Sequence, residues 1–324
     1  MAAKLAQNIF DKPDKKATRD GFGDGVFELG EKNPNVVALC ADLTESVRLH
    51  KFQQKFQERF YQAGVAEQNM IGVAGGLSLT GKIPFAASFA VFVPMRTYDQ
   101  IRISLCYNDL NVKFTGGHAG LMTGEDGATH QALEDIAIMR VLPRMTVLVP
   151  SDYHETKKAV FAAAEKKGPV YIRIGRAVLP MMTTPETPFK IGRAETFADG
   201  SDVSIIACGT MVYEAMLAAK ELDKEKINAR VINMHTIKPL DAQAIARAAK
   251  ETGAVVTAEE HQINGGLGSA VSEVLAREQP VPVEMVAVKD TFGESGKTGE
   301  LMKKYGLTSK EIIEAARKAV KRRK

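Results

Sequence analysis

Short apolar runs rich in β-branched residues alternate with stretches of helical periodicity along nearly the whole chain. The runs "VVALCA" from 36, "VKFTGG" from 112, "TVLVPSD" from 146 and "VYIRIG" from 170 read as strands buried on both faces. Strands of this kind separated by helical segments predict an α/β fold with a largely parallel sheet. Residues 181–190, "MMTTPETPFK", break the pattern with two prolines among threonines and read as a linker. A second series follows, with strands in "VSIIACG", "ARVINMHTIKPL", "GAVVTAEEH" and "VEMVAV" and helices over 211–222 and 266–277. The expectation is therefore two consecutive α/β domains with mostly parallel sheets, 1–185 and 186–324.

Composition narrows the class. A chain of 324 residues, 45% hydrophobic and 25% charged, has the make-up of a soluble globular protein with a sizeable core. Its formal charge of +4 is concentrated at the end, in Arg317, Lys318, Lys321, Arg322, Arg323 and Lys324, and the remainder is slightly acidic. Cations at the end of a helix complement its dipole, so the tail reads as solvated and no nucleic-acid partner is expected. Cys40, Cys106 and Cys208 are far apart in apolar stretches, which fits buried thiols in the cytoplasm better than a disulfide frame. The histidines show no metal-ligand spacing, so no metal site of the chain's own is expected. No apolar run reaches about 18 residues and no charged-then-apolar stretch opens the sequence, so neither a membrane span nor a secretory signal is expected.

Three places could hold chemistry. "GFGDG", 21–25, invites comparison with a metal–diphosphate loop, but Phe22, Val26 and Leu29 keep helical spacing through it and a helix is expected. "GGHAGLMTGEDGATHQALED", 116–135, follows a strand and sets His118, Asp126 and His130 among glycines. A cap by Asp126 and Thr129 on a helix beginning near Gln131 would explain one residue, not two histidines around a loop that lets a ligand approach the backbone. The third is Glu67, a lone carboxylate at the start of the apolar stretch "GVAEQNMIGVAGGLSL". Beside Ile71 and its neighbours it is short of water, which helps it hold or share a proton.

The motifs "GVAEQNM", "GGLSLTGKIPFAASFAVFV", "GEDGATHQALEDIAIMRVLPRM" and "VPSD", in that order, resemble transketolase, and most closely the separate C-terminal subunit of a split transketolase. The likeness runs from about Thr18 to the end. It implies thiamine diphosphate as coenzyme and transfer of a two-carbon ketol unit from a ketose phosphate to an aldose phosphate. By resemblance Glu67 bonds the N1′ nitrogen of the coenzyme's pyrimidine, Phe89 and Phe92 stack on that ring, and Asp42 lies near it. His118 and His130 take part in catalysis and, with Asp126, bind sugar hydroxyls. Arg19, Ser46 and Arg176 fall where the family binds the sugar phosphate, a role suited to forked guanidinium contacts. Met95 stands where an aromatic residue is usual, and Ala119 where an aspartate is common. His235 and His261 read as structural or interfacial.

The metal-bearing Gly-Asp-Gly loop of full transketolases is not found in this sequence. The resemblance thus implies an N-terminal partner subunit that holds the diphosphate through Mg or Ca, in an α2β2 assembly. Two other readings compete: a half of a deoxyxylulose phosphate synthase or 2-oxoacid dehydrogenase β subunit, of which "MRTYDQIR" at 95 has a flavour, and a non-catalytic regulatory subunit with this fold.

Overall fold

A computed structural model describes residues 3–323, so Lys324 of the basic tail lies outside it. The first half supplies β1 (Lys15–Ala17), β2 (Val36–Cys40), β3 (Phe60–Gln62), β4 (Ile83–Phe89), β5 (Lys113–Gly117), β6 (Thr146–Leu148), β7 (Val170–Arg173) and β8 (Val178–Pro180). The second supplies β9 (Glu195–Ala198), β10 (Val203–Ala207), β11 (Ala229–Asn233), β12 (Thr236–Lys238), β13 (Val255–Gln262) and β14 (Val283–Val288). Seven strands form one sheet in the order β12-β6-β7-β5-β4-β2-β3, and five form another in the order β14-β13-β10-β11-β9. Within these two sheets, among the described residues, only β12 and β9, each on an edge, run against their neighbours, and β1 and β8 form a separate antiparallel pair. The mixed α/β class with mostly parallel sheets is as the sequence predicts.

One element departs from that reading. "ARVINMHTIKPL" is not one strand: it breaks after Asn233, and β12 leaves the second sheet to pair with β6 of the first. Val149 donates its N–H to the His235 carbonyl at the crossing, and His235 is buried with its ring stacked on Phe189 at 4.2 Å. A single apolar core accordingly includes Leu39, Ile71 and Phe114 from the first sheet's surroundings and Ile232, Val255 and Val271 from the second. Residues 181–194 carry no helix and no strand.

"GFGDG" lies inside the helix Thr18–Lys32. Its glycines permit close approach: a Cβ on Gly21 would sit 2.3 Å from the Tyr153 carbonyl oxygen, and one on Gly23 2.4 Å from that of Arg48. The helix thereby lies tightly against Tyr153–Glu165 and brings its first turn, with Arg19, to the carboxyl ends of the strands. At the end of the chain Arg317 pairs with Glu225, and Lys318 and Arg322 pair with Glu284. Among the described residues no helix is long and apolar enough to cross a membrane.

Candidate active site

In a parallel sheet the strand ends converge on one edge, and ligands collect there. Asp42 follows β2, Phe89 ends β4, His118 follows β5 and Arg176 follows β7. Among the described residues seven that are not glycine have positive φ, and three of them, Asp42 (58°), Arg48 (65°) and His118 (52°), lie along this edge. Such backbone costs of order 1 kcal/mol or more and gathers where side chains must be aimed.

Glu67 begins the helix Glu67–Leu79, where a carboxylate complements the dipole, and is only 4% exposed. Arg96 Nη1 lies 3.4 Å from both of its oxygens, and the Arg96 guanidinium lies 4.0 Å above the Phe92 ring. Phe92 and Phe89 are stacked with centroids 5.8 Å apart. The His118 ring follows at 3.9 Å from Phe89, and His130 meets Phe92 edge-on at 5.5 Å. A cavity of about 520 Å³ opens beside this aromatic group, lined by Phe92, Met95, Arg96, Gln131 and Phe292 among others.

On the far side of His118 the charge is positive. Arg19 donates to the Ser46 carbonyl at 3.2 Å, yet its Nε is buried without a partner. Arg176 donates to the Thr123 carbonyl at 2.9 Å and lies 3.6 Å from Asp126. Arg48 is bonded to Asp20 at 2.7 Å. Burial, and then Arg48, lower the pKa of Arg19. Burial, followed by Arg19, Arg176, Arg48 and His130, pushes the His118 imidazole down to about 3. It is therefore neutral at ordinary pH, and its Nδ1 is buried with no partner. A neutral ring and an unpaired guanidinium nitrogen among several cations make a place that an anion would relieve.

The structure thus gathers Glu67, Phe89, Phe92, His118 and His130 in one group, and Arg19, Ser46, Asp126 and Arg176 in an adjoining one. Asp42 is exposed, with its N–H bonded to Gln62 Oε1 at 2.7 Å, and faces neither group through a direct contact. The helix expected near Gln131 starts instead at Asp135, so Asp126 and Thr129 cap nothing. Gln131 is spent on holding the loop, its amide reaching the Glu294 carbonyl at 2.9 Å. His261 is structural: its Nε2 accepts the Ala137 N–H and its Nδ1 meets the Gln262 carbonyl. Sequence reasoning missed Arg48 and Arg96. Nothing in "SVRLHKF" marks Arg48 as special, and it is the left-handed backbone there that accompanies its contact with Asp20. Among the described residues no group of three or more His, Cys, Asp or Glu is placed to hold a metal ion.

The arrangement has close relatives. Residues 14–182 match the family described as the transketolase pyrimidine binding domain, and 192–312 that described as the transketolase C-terminal domain. The chain is 45% identical to a protein of Methanocaldococcus jannaschii provisionally named a transketolase C-terminal section, over 95% of this chain and 97% of that one. It is 44% identical to the 6-deoxy-6-sulfo-D-fructose transketolase subunit SqwH of a Clostridium species, over 94% and 95%. A solved structure described as a split gene transketolase, inactive beta4 tetramer, superposes with a TM-score of 0.88 at 48% identity, covering 95% of this chain and 99% of that one. Matched in both segments and nearly end to end by such relatives, the chain belongs to the transketolase family.

Proposed function

We propose that this chain is the C-terminal subunit of a two-chain transketolase, moving a two-carbon ketol unit from a ketose phosphate to an aldose phosphate. The observation that carries the reading is the buried Glu67 carboxylate beside the stacked Phe89–Phe92 pair, with the His118 imidazole next and the arginine cluster beyond it.

The pyrimidine end of thiamine diphosphate fits these residues. Phe89 and Phe92 offer a flat apolar face, and the Glu67 carboxylate offers an acceptor that can share a proton with a ring nitrogen. Arg96, half exposed, is the neighbour that must yield Glu67 to that nitrogen. For the diphosphate end, whose charge calls for a metal, the described residues offer no group of three or more His, Cys, Asp or Glu placed to hold one. A divalent metal, Mg or Ca, and the phosphates are assigned to an N-terminal partner subunit. When bound, the coenzyme supplies the electron sink for carbon–carbon cleavage. The chain's own residues do the rest: Arg19, Ser46 and Arg176 hold the sugar phosphate, Asp126 reads a hydroxyl, and His118 and His130 move protons at sugar oxygens. As His118 Nδ1 lacks a partner and the ring is neutral, it is free to form one hydrogen bond to a sugar oxygen without first losing a charge.

The partner reading has support on the surface. Gln68, Gly72, Val73 and Gly76 form an exposed stripe on the Glu67 helix, and a Cβ on either glycine would meet nothing within 4 Å. A bare helix face next to a catalytic carboxylate suits close approach by another chain, in an α2β2 assembly. The three cysteines are free and buried, which fits the cytoplasm.

The test is reconstitution with the N-terminal half, followed by assay of pentose phosphates against pyruvate as donor. Turnover with ketose phosphates is expected, and turnover that requires pyruvate would overturn the reading. Glu67→Ala should keep the fold and the assembly while transfer falls by about a hundredfold or more. Undiminished transfer would remove Glu67 from the mechanism.

A further inference from the structure

The loop bearing His118, Asp126 and His130 is held from the other half of the chain. Glu260, on β13, is buried; its Oε1 accepts the Met122 N–H at 2.6 Å and its Oε2 the Thr210 hydroxyl at 2.9 Å. The contact is so close that a Cβ on Gly120, at φ 81°, would fall 2.3 Å from Glu260 Oε1. Arg173 braces the same place, donating to the Glu260 carbonyl at 2.9 Å and the Ala132 carbonyl at 3.2 Å while paired with Asp135 at 2.8 Å. The loop is thereby pinned at Met122 and again at Ala132.

Stability alone does not call for a carboxylate here. Burial raises the Glu260 pKa, with Arg173 next in effect and favouring the charged form, and Arg173 is bonded to the Glu260 backbone rather than its carboxylate. A well-packed apolar side chain would avoid that desolvation. What it could not do is receive the Met122 N–H and fix the turn that follows His118.

We propose that Glu260 is a positioning residue for ketol transfer, holding the 120–126 turn so that His118 and Asp126 face the sugar. The proposal rests on the transketolase reading of the site. Glu260→Gln keeps one oxygen for the Met122 N–H and an amide that can donate to Thr210, whereas Glu260→Ala leaves both donors unanswered.

In the two-chain enzyme, Glu260→Ala should raise KM for sugar phosphates about tenfold and leave coenzyme affinity unchanged, and Glu260→Gln should restore KM to within about threefold. Amide exchange in 118–127 of the Ala variant should quicken about tenfold, with Gln again near wild type. If the Ala variant aggregates, Glu260→Asp, which keeps the charge but shortens the reach, takes its place with the same expectation. Unchanged KM or unchanged exchange overturns the assignment, as does a loss of coenzyme affinity and thermal stability in step with KM. Should the unmutated pair transfer no ketol unit, the functional reading falls, while exchange in 118–127 still decides the role of Glu260.

Discussion

Glu155 is a carboxyl placed where ionisation is costly, and its effect on stability can be worked out from its surroundings. It lies in the first turn of the helix Tyr153–Glu165; one oxygen accepts the Ser151 N–H and the other the Asn233 side-chain amide, both at 2.6 Å. Burial, with the neighbouring Asp152 charge, raises it from 4.5 to about 7. Lys158 is the nearby cation, but it is bonded to the carbonyls of Thr184 and Thr187. Since the folded form binds the proton more tightly than the unfolded chain, this contribution to stability is complete below pH 4.5 and is lost as pH rises through about 7. The whole effect is ~3 kcal/mol, at roughly 1.4 kcal/mol per pH unit. Glu155→Gln removes the charge at little structural cost, because the Asn233 Oδ1 has no partner and can turn to accept from the new amide. Urea denaturation of wild type and variant at several pH values cancels every other titrating group. The variant should gain on wild type by about 2.5 kcal/mol between pH 5 and pH 8. A difference that stays constant to about 0.5 kcal/mol over that range would refute the burial argument.

Arg19→Gln and Arg176→Gln should each raise KM for phosphorylated sugars by about tenfold to a hundredfold, as expected for charge-assisted bonds, while a sugar without phosphate is used as before. Steady-state assays with the paired substrates decide it, and equal losses on both would assign the arginines another role. Gly72→Ala and Gly76→Ala should each stabilise the separate chain by about 0.5–1 kcal/mol through helix propensity, since neither methyl meets a neighbour. The same changes should weaken assembly with the partner about tenfold or more, read by sedimentation, because close helix approach is lost. Unaltered assembly would move the interface elsewhere.

What the sequence disclosed follows from how far each signal travels along the chain. Continuous apolar runs such as "VVALC" announce strands covered on both faces, and in a parallel sheet this already places the residues after them, Asp42 and His118 included, on the ligand-binding edge. Side-chain identity is local too, so the acid, the aromatics and the arginines could be named. Their electrical state could not: His118 is neutral first because it is buried, and then because three arginines from separate segments converge on it. Nor does "GFGDG" explain its own glycines, which answer to backbone oxygens of Tyr153 and Arg48.

"AEEH" is the sharpest case. Alternation along a strand would send one of two adjacent glutamates to solvent, yet both are buried, because β13 lies inside its sheet with both faces covered. Glu259 accepts the N–H groups of Leu267 and Gly268 at the start of the helix Leu267–Glu278, while Glu260 holds Met122 from across the chain. The first of these contacts is near enough in sequence to guess from "EEHQINGGLG", where glycines open a helix behind an acid. The second joins residues 138 positions apart. It ties the 120–126 turn to the second half of the chain, so that, on the proposed reading of the site, substitutions there alter sugar binding without touching the sugar.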